Sequence, residues 1–198
     1  MTTQALANPR KQSVLVVGDS LSAEYGIARQ QGWVALLQKG LDERSSGFQL
    51  INASISGDTT SGGLSRLPAL LEKHQPAIVI IELGGNDALR GLPLNMTKSN
   101  LTRMTQMAQS SGAKVLLAGM QIPPNYGKEY SQAFQALYPQ VANELGAQLI
   151  PFFLEGIAQN IQLFQQDGIH PNEQAQPILA SNVWKHLEPL ILSPQASN

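Results

Sequence analysis

The segment Ser13-Val14-Leu15-Val16-Val17-Gly18-Asp19-Ser20-Leu21-Ser22 joins a continuous apolar run to a short polar turn. A run rich in β-branched residues and without polar alternation is typical of a strand that is covered on both faces, as in a parallel sheet. Four further runs of this kind follow at wide intervals, over 49–52, 77–83, 114–120 and 148–153. Together with the first strand, at 13–17, they predict a five-stranded sheet.

Stretches with the spacing of amphipathic helices lie between the predicted strands and after the last one. They cover 33–41, 64–73, 98–110, 128–145 and 172–190. This alternation predicts an α/β fold, a three-layer α/β/α sandwich whose sheet is mostly parallel and whose crossovers are right-handed. The 198 residues contain no internal repeat or linker. We therefore expect one domain over 1–198, with a core from about 13 to 190.

Composition excludes several classes of function. A net charge of −1 offers no electrostatic footprint for a nucleic acid. The chain has no cysteine, which excludes thiol nucleophiles, disulfides and cysteine metal sites. The longest apolar run, Ala77-Ile78-Val79-Ile80-Ile81, is far shorter than the ~18 residues that span a bilayer, so we expect no stable membrane insertion. The first residues, Met1 to Arg10, contain no secretory apolar region, which leaves a cytoplasmic protein or a mature exported form as alternatives.

Polar residues follow the predicted strands at the places where ligands bind in an open parallel sheet, outside the carboxyl ends of the strands. Four segments stand out: Gly18–Ser22, Ala53–Thr60, Gly84–Asp87 and Asp167–Pro171. They contain four of the five aspartates of the chain and one of its three histidines. When such scarce residue types are concentrated at one edge of a sheet, they indicate a functional site rather than surface residues that only keep the protein soluble.

Acyl transfer explains this set of residue types. A serine hydroxyl becomes a good nucleophile when a histidine takes its proton, and the histidine needs a carboxylate on its other ring nitrogen. Asp167 and His170 are three residues apart in a predicted turn, so the carboxylate can reach the imidazole. Pro171 disfavours helical backbone angles at His170 and helps to hold it in the loop.

The tetrahedral intermediate of such a reaction needs preorganised donors for its oxyanion. A glycine lets a backbone N–H approach closely, and an asparagine amide is a neutral donor. Gly57 and Asn86 fit these two roles, and the N–H of Ser20 is a natural third donor.

The four segments, in this order, resemble those of the SGNH hydrolases, also called GDSL esterases/lipases. The Gly-Asp-Ser-Leu block stands at 18–21, the Gly-x-Asn-Asp block at 84–87 and the Asp-x-x-His block at 167–170. The resemblance runs from about 13 to 190. The short chain, Gln31-Gly32-Trp33 and the Asp-Gly-Ile-His-Pro block are most similar to the small bacterial acyl-CoA thioesterase/lysophospholipase/arylesterase group.

The resemblance implies a flavodoxin-like SGNH-hydrolase fold and a Ser20/His170/Asp167 triad, with an oxyanion hole formed by Ser20, Gly57 and Asn86. It implies hydrolysis of acyl esters and thioesters through an acyl-enzyme, with no metal or other cofactor. A monomer, exported to the periplasm or secreted, is the corresponding expectation. Because the serine block is not Gly-x-Ser-x-Gly, the sharp turn of the α/β-hydrolase nucleophile is not expected, and the site should be shallow.

Apolar residues in three loops are candidates for the acyl pocket, although apolar stripes are usually part of a core. They are Leu89, Leu92, Ile122, Pro123, Tyr126, Leu154 and Ile157. Asp19, Asp58 and Asp87 are interpreted as structural, and Glu82 as a buried carboxyl group bonded to backbone N–H groups. Two alternatives stay open: a carbohydrate acetylesterase with the same apparatus, and a non-catalytic nucleotide-binding module. The second would need Gly-x-Gly-x-x-Gly after the first strand, and the sequence there is Gly-Asp-Ser-Leu-Ser-Ala.

Overall fold

Five parallel strands form at the five apolar runs. In the computed structural model, which describes residues 11–44 and 46–193, they are β1 (Gln12–Gly18), β2 (Phe48–Asn52), β3 (Ile78–Glu82), β4 (Lys114–Ala118) and β5 (Gln148–Ile150). They pair in the order β2-β1-β3-β4-β5. The predicted sheet is confirmed, and it is entirely rather than mostly parallel. The remainder of the predicted domain, 1–10, 45 and 194–198, lies outside the described residues.

The two central strands carry the most continuous apolar sequence because helices cover both of their faces. Every side chain of β3 is buried, and so is every residue of β1 from Ser13 onward. In β2, at the edge of the sheet, only Phe48 is buried. The register places Gly18, the last residue of β1, beside Glu82, the last residue of β3.

The strands β4 and β5 end earlier than their apolar sequence predicts, at Ala118 and Ile150 instead of 120 and 153. The chains leave the regular ladder but stay bonded to each other. Gly119 donates to the carbonyl of Ile150 at 2.8 Å, and Phe153 donates to the carbonyl of Gly119 at 2.8 Å. The apolar residues beyond the strand ends therefore belong to the core without belonging to a strand.

Six α-helices of the described segments flank the sheet. They are α1 (Trp33–Glu43), α2 (Thr60–His74), α3 (Gly85–Leu89), α4 (Leu94–Ser110), α5 (Lys128–Leu145) and α6 (Gln176–Leu192). α1 packs against α6, whereas α4 packs between α2 and α5. With right-handed crossovers, these two groups lie on opposite faces of the sheet. The three-layer α/β/α sandwich is thus confirmed, and one hydrophobic core extends from Val14 to Leu187.

Two helices differ from the sequence prediction near the carboxyl edge of the sheet. The short helix α3 was not predicted, because the residues of the Gly-Gly-Asn-Asp segment are typical of a turn. α2 begins at Thr60 rather than at 64, since the side chain of Thr59 caps it by accepting from Gly62 at 3.3 Å. A side chain at Gly63 would collide with Leu83, so this glycine permits close packing of α2 on the end of β3.

The strand order fixes where a site can form. The chain passes from β1 outward to β2 and then returns to β3 on the other side of β1. Helices leave in opposite directions at this switch point and open a crevice at the carboxyl ends of β1 and β3. Among the helices of the described segments, none has the combined length and apolar content needed to cross a membrane.

Candidate active site

A chain of hydrogen bonds joins Ser20, His170 and Asp167, which come from opposite ends of the sequence. Nε2 of His170 lies 3.0 Å from Oγ of Ser20, and Nδ1 of His170 lies 2.6 Å from Oδ2 of Asp167. Ser20 sits in the turn after β1, and α1 begins only at Trp33. The arrangement gives the serine hydroxyl a base, and gives that base a carboxylate.

Asp167 is held by the backbone of its own loop. Its Oδ1 accepts hydrogen bonds from the N–H groups of Ile169 at 2.9 Å and His170 at 3.0 Å. Gly168, between Asp167 and these two donors, has φ of +67°, a conformation that a glycine adopts without steric cost. The backbone N–H of His170, followed by its imidazole, lowers the pKa of Asp167 to about 2. The carboxylate is therefore ionised at neutral pH, as the orientation of an imidazole requires.

Two residues that carry no sequence signal support the histidine. The ring of Tyr25 lies 4.4 Å from the imidazole ring of His170, centroid to centroid. Gln165 donates from Nε2 to the carbonyls of Tyr25 at 2.8 Å and Pro171 at 3.2 Å, and its N–H donates to the carbonyl of His170 at 2.8 Å. Gln165 thus connects the loop that follows Ser20 to the loop that carries His170. A side chain at Gly26 would collide with the Gln165 amide.

The N–H groups of Ser20 and Gly57 both stand at the carboxyl edge of the sheet. Within 11–44 and 46–193, neither of them donates to a protein acceptor. Gly57 has φ of +79° in the exposed loop after β2, and its carbonyl accepts from Nη2 of Arg90 at 2.9 Å. Arg90, which sequence reasoning did not single out, fixes this peptide from the end of α3. The two N–H groups remain available for a ligand oxygen.

Asn86 lies in the first turn of α3, and its amide has protein partners. Nδ2 donates to Oδ2 of Asp19 at 2.9 Å and to the carbonyl of Asp58 at 2.9 Å. Both protons of the amide are thereby directed at protein oxygens. To donate to an oxyanion as well, the amide must share one of them in a three-centre hydrogen bond.

Beneath the serine turn lies a buried polar network. Oε2 of Glu82 accepts from the hydroxyl of Ser22 at 2.6 Å and from the N–H of Asp19 at 3.3 Å. The hydroxyl of Ser22 in turn accepts from Nε1 of Trp33 at 3.2 Å. The predicted buried carboxyl at Glu82 is confirmed, and the contact with Ser22 is additional to the predicted backbone contact.

Burial governs the protonation of this network. It raises the pKa of Glu82 well above the ordinary value, and it raises the pKa of Asp19 to about 6. The nearby charge of Asp19 adds to the effect on Glu82. Among the described residues, Oε1 of Glu82 has no hydrogen-bond partner, and an unpartnered buried oxygen costs less free energy on a neutral carboxyl group than on a carboxylate.

The three other aspartates of the strand-end segments take structural roles, as interpreted from the sequence. Oδ1 of Asp19 accepts from the N–H of Leu21 at 3.0 Å. Asp58 forms an ion pair with Arg66 at 2.8 Å. Asp87 accepts from the N–H of Thr60 at 2.9 Å and from its hydroxyl. The contact of Asp19 with Asn86 was not predicted, because no local pattern connects residues 67 positions apart.

The candidate acyl-pocket residues fall into three groups. Pro123 and Tyr126 are exposed, and Leu89, Leu92 and Leu154 are half-buried. Ile122 is buried, and Ile157 is completely buried within the core. Ile157 therefore presents no surface to a substrate, because the loop after β5 folds back onto the core. Its predicted contact with substrate is not supported by this position.

Two cavities of the described residues lie away from the triad. One lies at the amino edge of the sheet, near Gln12 and Lys114. The other, of about 400 Å³, lies between α2 and α4 beside Asn100 and Arg103. Ser20 lines neither of them. Within the described segments, no group of three or more acidic or histidine side chains is arranged to hold a metal ion.

Comparison with known proteins places the chain among esterases. The model of the GDSL-like lipase/acylhydrolase family matches residues 16–177. Esterase TesA of Pseudomonas aeruginosa is 53% identical over 191 residues, which cover 96% of this chain and 93% of that protein. Thioesterase 1/protease 1/lysophospholipase L1 of Escherichia coli is 46% identical over 179 residues, which cover 90% and 85%. The crystal structure of esterase EstA from Pseudoalteromonas superposes with a TM-score of 0.88 at 42% identity, covering 92% of this chain and all of the other.

Proposed function

The chain belongs to the GDSL-like lipase/acylhydrolase family and is a carboxylic ester hydrolase, and we propose that Ser20, His170 and Asp167 carry out its reaction. The observation that supports this proposal is the continuous hydrogen-bonded path from the Ser20 hydroxyl through the imidazole to the Asp167 carboxylate. Its first step is nucleophilic attack by Oγ of Ser20 on the carbonyl carbon of an acyl substrate. Nε2 of His170 accepts the hydroxyl proton as the new bond forms.

The Asp167 carboxylate selects the tautomer that this step requires. An ionised Oδ2 accepts the proton on Nδ1, which leaves the lone pair of Nε2 directed at Ser20. When Nε2 takes the serine proton, the same carboxylate stabilises the imidazolium. The low pKa of Asp167 keeps the carboxylate ionised throughout.

The negative charge of the tetrahedral intermediate rests on hydrogen-bond donors at the carboxyl edge of the sheet. We assign this role to the N–H groups of Ser20 and Gly57 and to the Asn86 amide. The first two have no acceptor in the described structure, and the third shares a proton with the oxyanion while it stays bonded to Asp19 or Asp58. Such donors favour the intermediate over the planar substrate because they are already oriented.

The intermediate then collapses to the acyl-enzyme. His170 protonates the leaving alcohol or thiol, and water attacks the Ser20 ester in a second, equivalent cycle. Every proton moves between Ser20, His170, the leaving group and water. The cycle needs no metal or organic cofactor.

The substrates proposed here are acyl esters and thioesters. The names of the relatives include an esterase, a thioesterase and a lysophospholipase. The open surroundings of Ser20 fit leaving groups as different as an aryl alcohol, a thiol and a glycerophosphate. We further propose that the enzyme acts as a monomer outside the cytoplasm, in the periplasm or secreted, with no nucleic-acid partner.

The experiment that tests the mechanism is hydrolysis of p-nitrophenyl butyrate by the wild type and by Ser20→Ala. The variant should lose on the order of 10⁶ of kcat, because it removes the hydroxyl that is hydrogen-bonded to Nε2 of His170. Ser99→Ala, which removes an exposed hydroxyl on α4, should keep full activity. A fluorophosphonate should label Ser20 covalently in a 1:1 ratio, which mass spectrometry detects as the mass of one added phosphonyl group. Wild-type turnover by Ser20→Ala would refute the proposal.

A panel of p-nitrophenyl esters from acetyl to hexadecanoyl, with an acyl-CoA and a lysophospholipid beside them, tests the substrate class. Longer acyl chains should be accepted, because Tyr25 and Ile55, in the loops beside Ser20, expose apolar side chains that such chains can contact. A sharp preference for acetyl esters would favour a carbohydrate acetylesterase instead.

A further inference from the structure

Large apolar side chains are unevenly distributed over the surface of the described residues. Five of the six exposed ones lie in loops that follow the carboxyl ends of the strands, and we call these five the apolar rim. They are Tyr25, Ile55, Tyr126, Ile161 and Ile169. The sixth, Leu192, lies at the opposite edge of the sheet, at the end of α6. The carbonyls of Leu190 and Ser193 accept hydrogen bonds from Nζ of Lys114, the first residue of β4. This contact places the end of α6 at the amino edge of the sheet.

Four residues of the apolar rim lie beside the candidate active site, and Tyr126 lies after β4 at the same edge of the sheet. Tyr25 contacts the ring of His170, and Ile169 directly precedes it. Ile161 lies beside Gly168 of the same loop. Ile55 donates from its N–H to the carbonyl of Gly18 at 3.0 Å, which places it at the end of β1. Clustered exposed apolar side chains in a soluble protein mark an interaction surface, whereas scattered ones do not.

The loops that carry the rim are poor in charge. Residues 53–57, 119–127 and 156–166, which carry Ile55, Tyr126 and Ile161, contain no charged side chain. The acids next to the other two rim residues already have partners. Glu24 accepts from the N–H of Gly32 at 3.0 Å, and Asp167 is bonded to His170. Arg29, in the loop of Tyr25, and Arg90, beside Gly57, are exposed, and their long side chains can keep the charged groups in water while the rim leaves it.

We propose that the apolar rim docks the enzyme on a net-neutral phospholipid surface, so that a lipid ester reaches Ser20 directly from that surface. An uncharged, aromatic and aliphatic rim fits the interfacial zone of a zwitterionic bilayer, where tyrosine rings are favoured. The net charge of −1 of the whole chain gives an anionic surface no advantage. This inference specifies how the lipid substrate of the proposed function reaches the enzyme, and it therefore rests on that function.

Vesicle binding tests the docking without catalysis. Ser20→Ala protein is sedimented with phosphatidylcholine vesicles, and with vesicles that also contain phosphatidylglycerol, in low salt and in 0.5 M salt. We expect binding to both vesicle types, with less than a twofold effect of salt, because apolar contacts are not screened. Since the variant cannot turn over substrate, a failure of binding is distinguishable from a failure of the proposed function.

Variants locate the docking surface. Ile161→Asp should weaken vesicle binding about tenfold, and the double variant Ile55→Asp/Ile161→Asp should bring it to background. Leu192→Asp is the matched control, since Leu192 is 74% exposed and Ile161 is 67% exposed. It should bind like its parent. Thermal unfolding of each variant verifies that the fold is intact.

Several results would overturn the proposal. These are the absence of binding to phosphatidylcholine vesicles, binding that needs phosphatidylglycerol and disappears in salt, or equal effects of Leu192→Asp and Ile161→Asp. Concentration-dependent dimerisation that Ile161→Asp abolishes would show instead that the rim pairs with a second copy of the chain.

Discussion

The two sides of the candidate active site are held in place by different interactions. The serine side, residues 18–22, rests on the buried carboxyl groups of Glu82 and Asp19, whose pKa values are raised by burial. The histidine side, residues 164–172, is a surface loop in which an ionised Asp167 collects backbone N–H groups. The serine side relies on a proton that Glu82 retains in the core, and the histidine side relies on a charge kept near water.

Because of this difference, substitutions on the two sides should affect different properties of the enzyme. On the serine side, the polar groups lie under the sheet edge, so a lost partner leaves a buried group unsatisfied and lowers stability. On the histidine side, water can replace a lost contact, so the fold survives and the orientation of the imidazole suffers. Stability and rate should therefore respond separately to substitutions on the two sides.

Among the substitutions that distinguish how the two sides are held, the largest expected effect is on rate and lies on the histidine side. Asp167→Asn keeps an oxygen for the N–H groups of Ile169 and His170 but presents an amide to Nδ1, which favours the wrong tautomer. We expect kcat for p-nitrophenyl butyrate to fall on the order of 10⁴ while the free energy of unfolding at pH 7 changes little. Asp42→Asn, an exposed aspartate on α1, is the control and should keep full activity. A loss of less than tenfold in Asp167→Asn would contradict the orienting role.

The second effect is expected at Asn86, which combines a proposed role in the rate with a contact to the serine side. Asn86→Ala removes one proposed oxyanion donor and should lower kcat by about 10²–10³ with a small change in KM. It also deprives Asp19 of a donor, so some loss of stability should accompany the loss of rate. Asn95→Ala, at an exposed position of α4, provides the comparison and should do neither. Full kcat in Asn86→Ala would show that the amide serves only Asp19 and Asp58.

The sequence was sufficient for the features that local patterns encode. Apolar runs without alternation predicted all five strands, and the resemblance assembled Ser20, Asp167 and His170 into one set. The structure brings these three side chains within hydrogen-bond distance of one another. Each strand prediction rests on several residues of one segment, and the resemblance rests on four segments, so a single exception could not mislead either inference.

The features that the sequence did not predict all depend on contacts between distant residues. Gln165 is one of three glutamines among the five residues 162–166, and nothing local marks it as the one that bonds Tyr25. Asp19 was expected to bond its own turn, which it does, but its second partner, Asn86, comes from α3. α3 itself was missed because its glycines favour a turn, whereas packing of Asp87 and Ala88 in the core makes it a helix.

A stability effect on the serine side is expected to be third in size. Glu82→Ala should lower the free energy of unfolding by about 3–4 kcal/mol, since it leaves the hydroxyl of Ser22 and the N–H of Asp19 without an acceptor and opens a cavity. Glu82→Gln should cost less than about 1 kcal/mol, because a protonated carboxyl and an amide are similar in shape and both can accept these bonds. Urea denaturation at pH 7 measures both.

The matched control is Glu72→Ala, an exposed position on α2, which should change stability by less than about 0.5 kcal/mol. If Glu82→Gln were as damaging as Glu82→Ala, the carboxyl would have to be ionised in the folded protein. That outcome would remove the contrast in protonation between the two sides.

The smallest effect is a pH dependence of opposite sign on the two sides. On the serine side, Asp19 has a pKa of about 6 in the folded protein against 3.8 for an ordinary aspartate. The folded state keeps a proton that the unfolded state loses. The resulting stability is fully present below pH 3.8 and is lost as the pH rises through about 6. Between pH 4 and pH 6 the wild type should lose about 2 kcal/mol relative to Asp19→Asn.

On the histidine side the sign reverses. Asp167 has a pKa of about 2 when folded, so its contribution is present above pH 3.8 and is lost as the pH falls toward 2. Relative to Asp167→Asn, the wild type should lose stability in that acid range. This loss in the free energy of unfolding should be smaller than the loss caused by Asp19, because the Asp167 side chain is 39% exposed and water screens its contacts. Urea denaturation of both pairs of proteins from pH 2.5 to pH 7 measures the two slopes. Slopes of the same sign would mean that both sides of the site are held by the same kind of interaction.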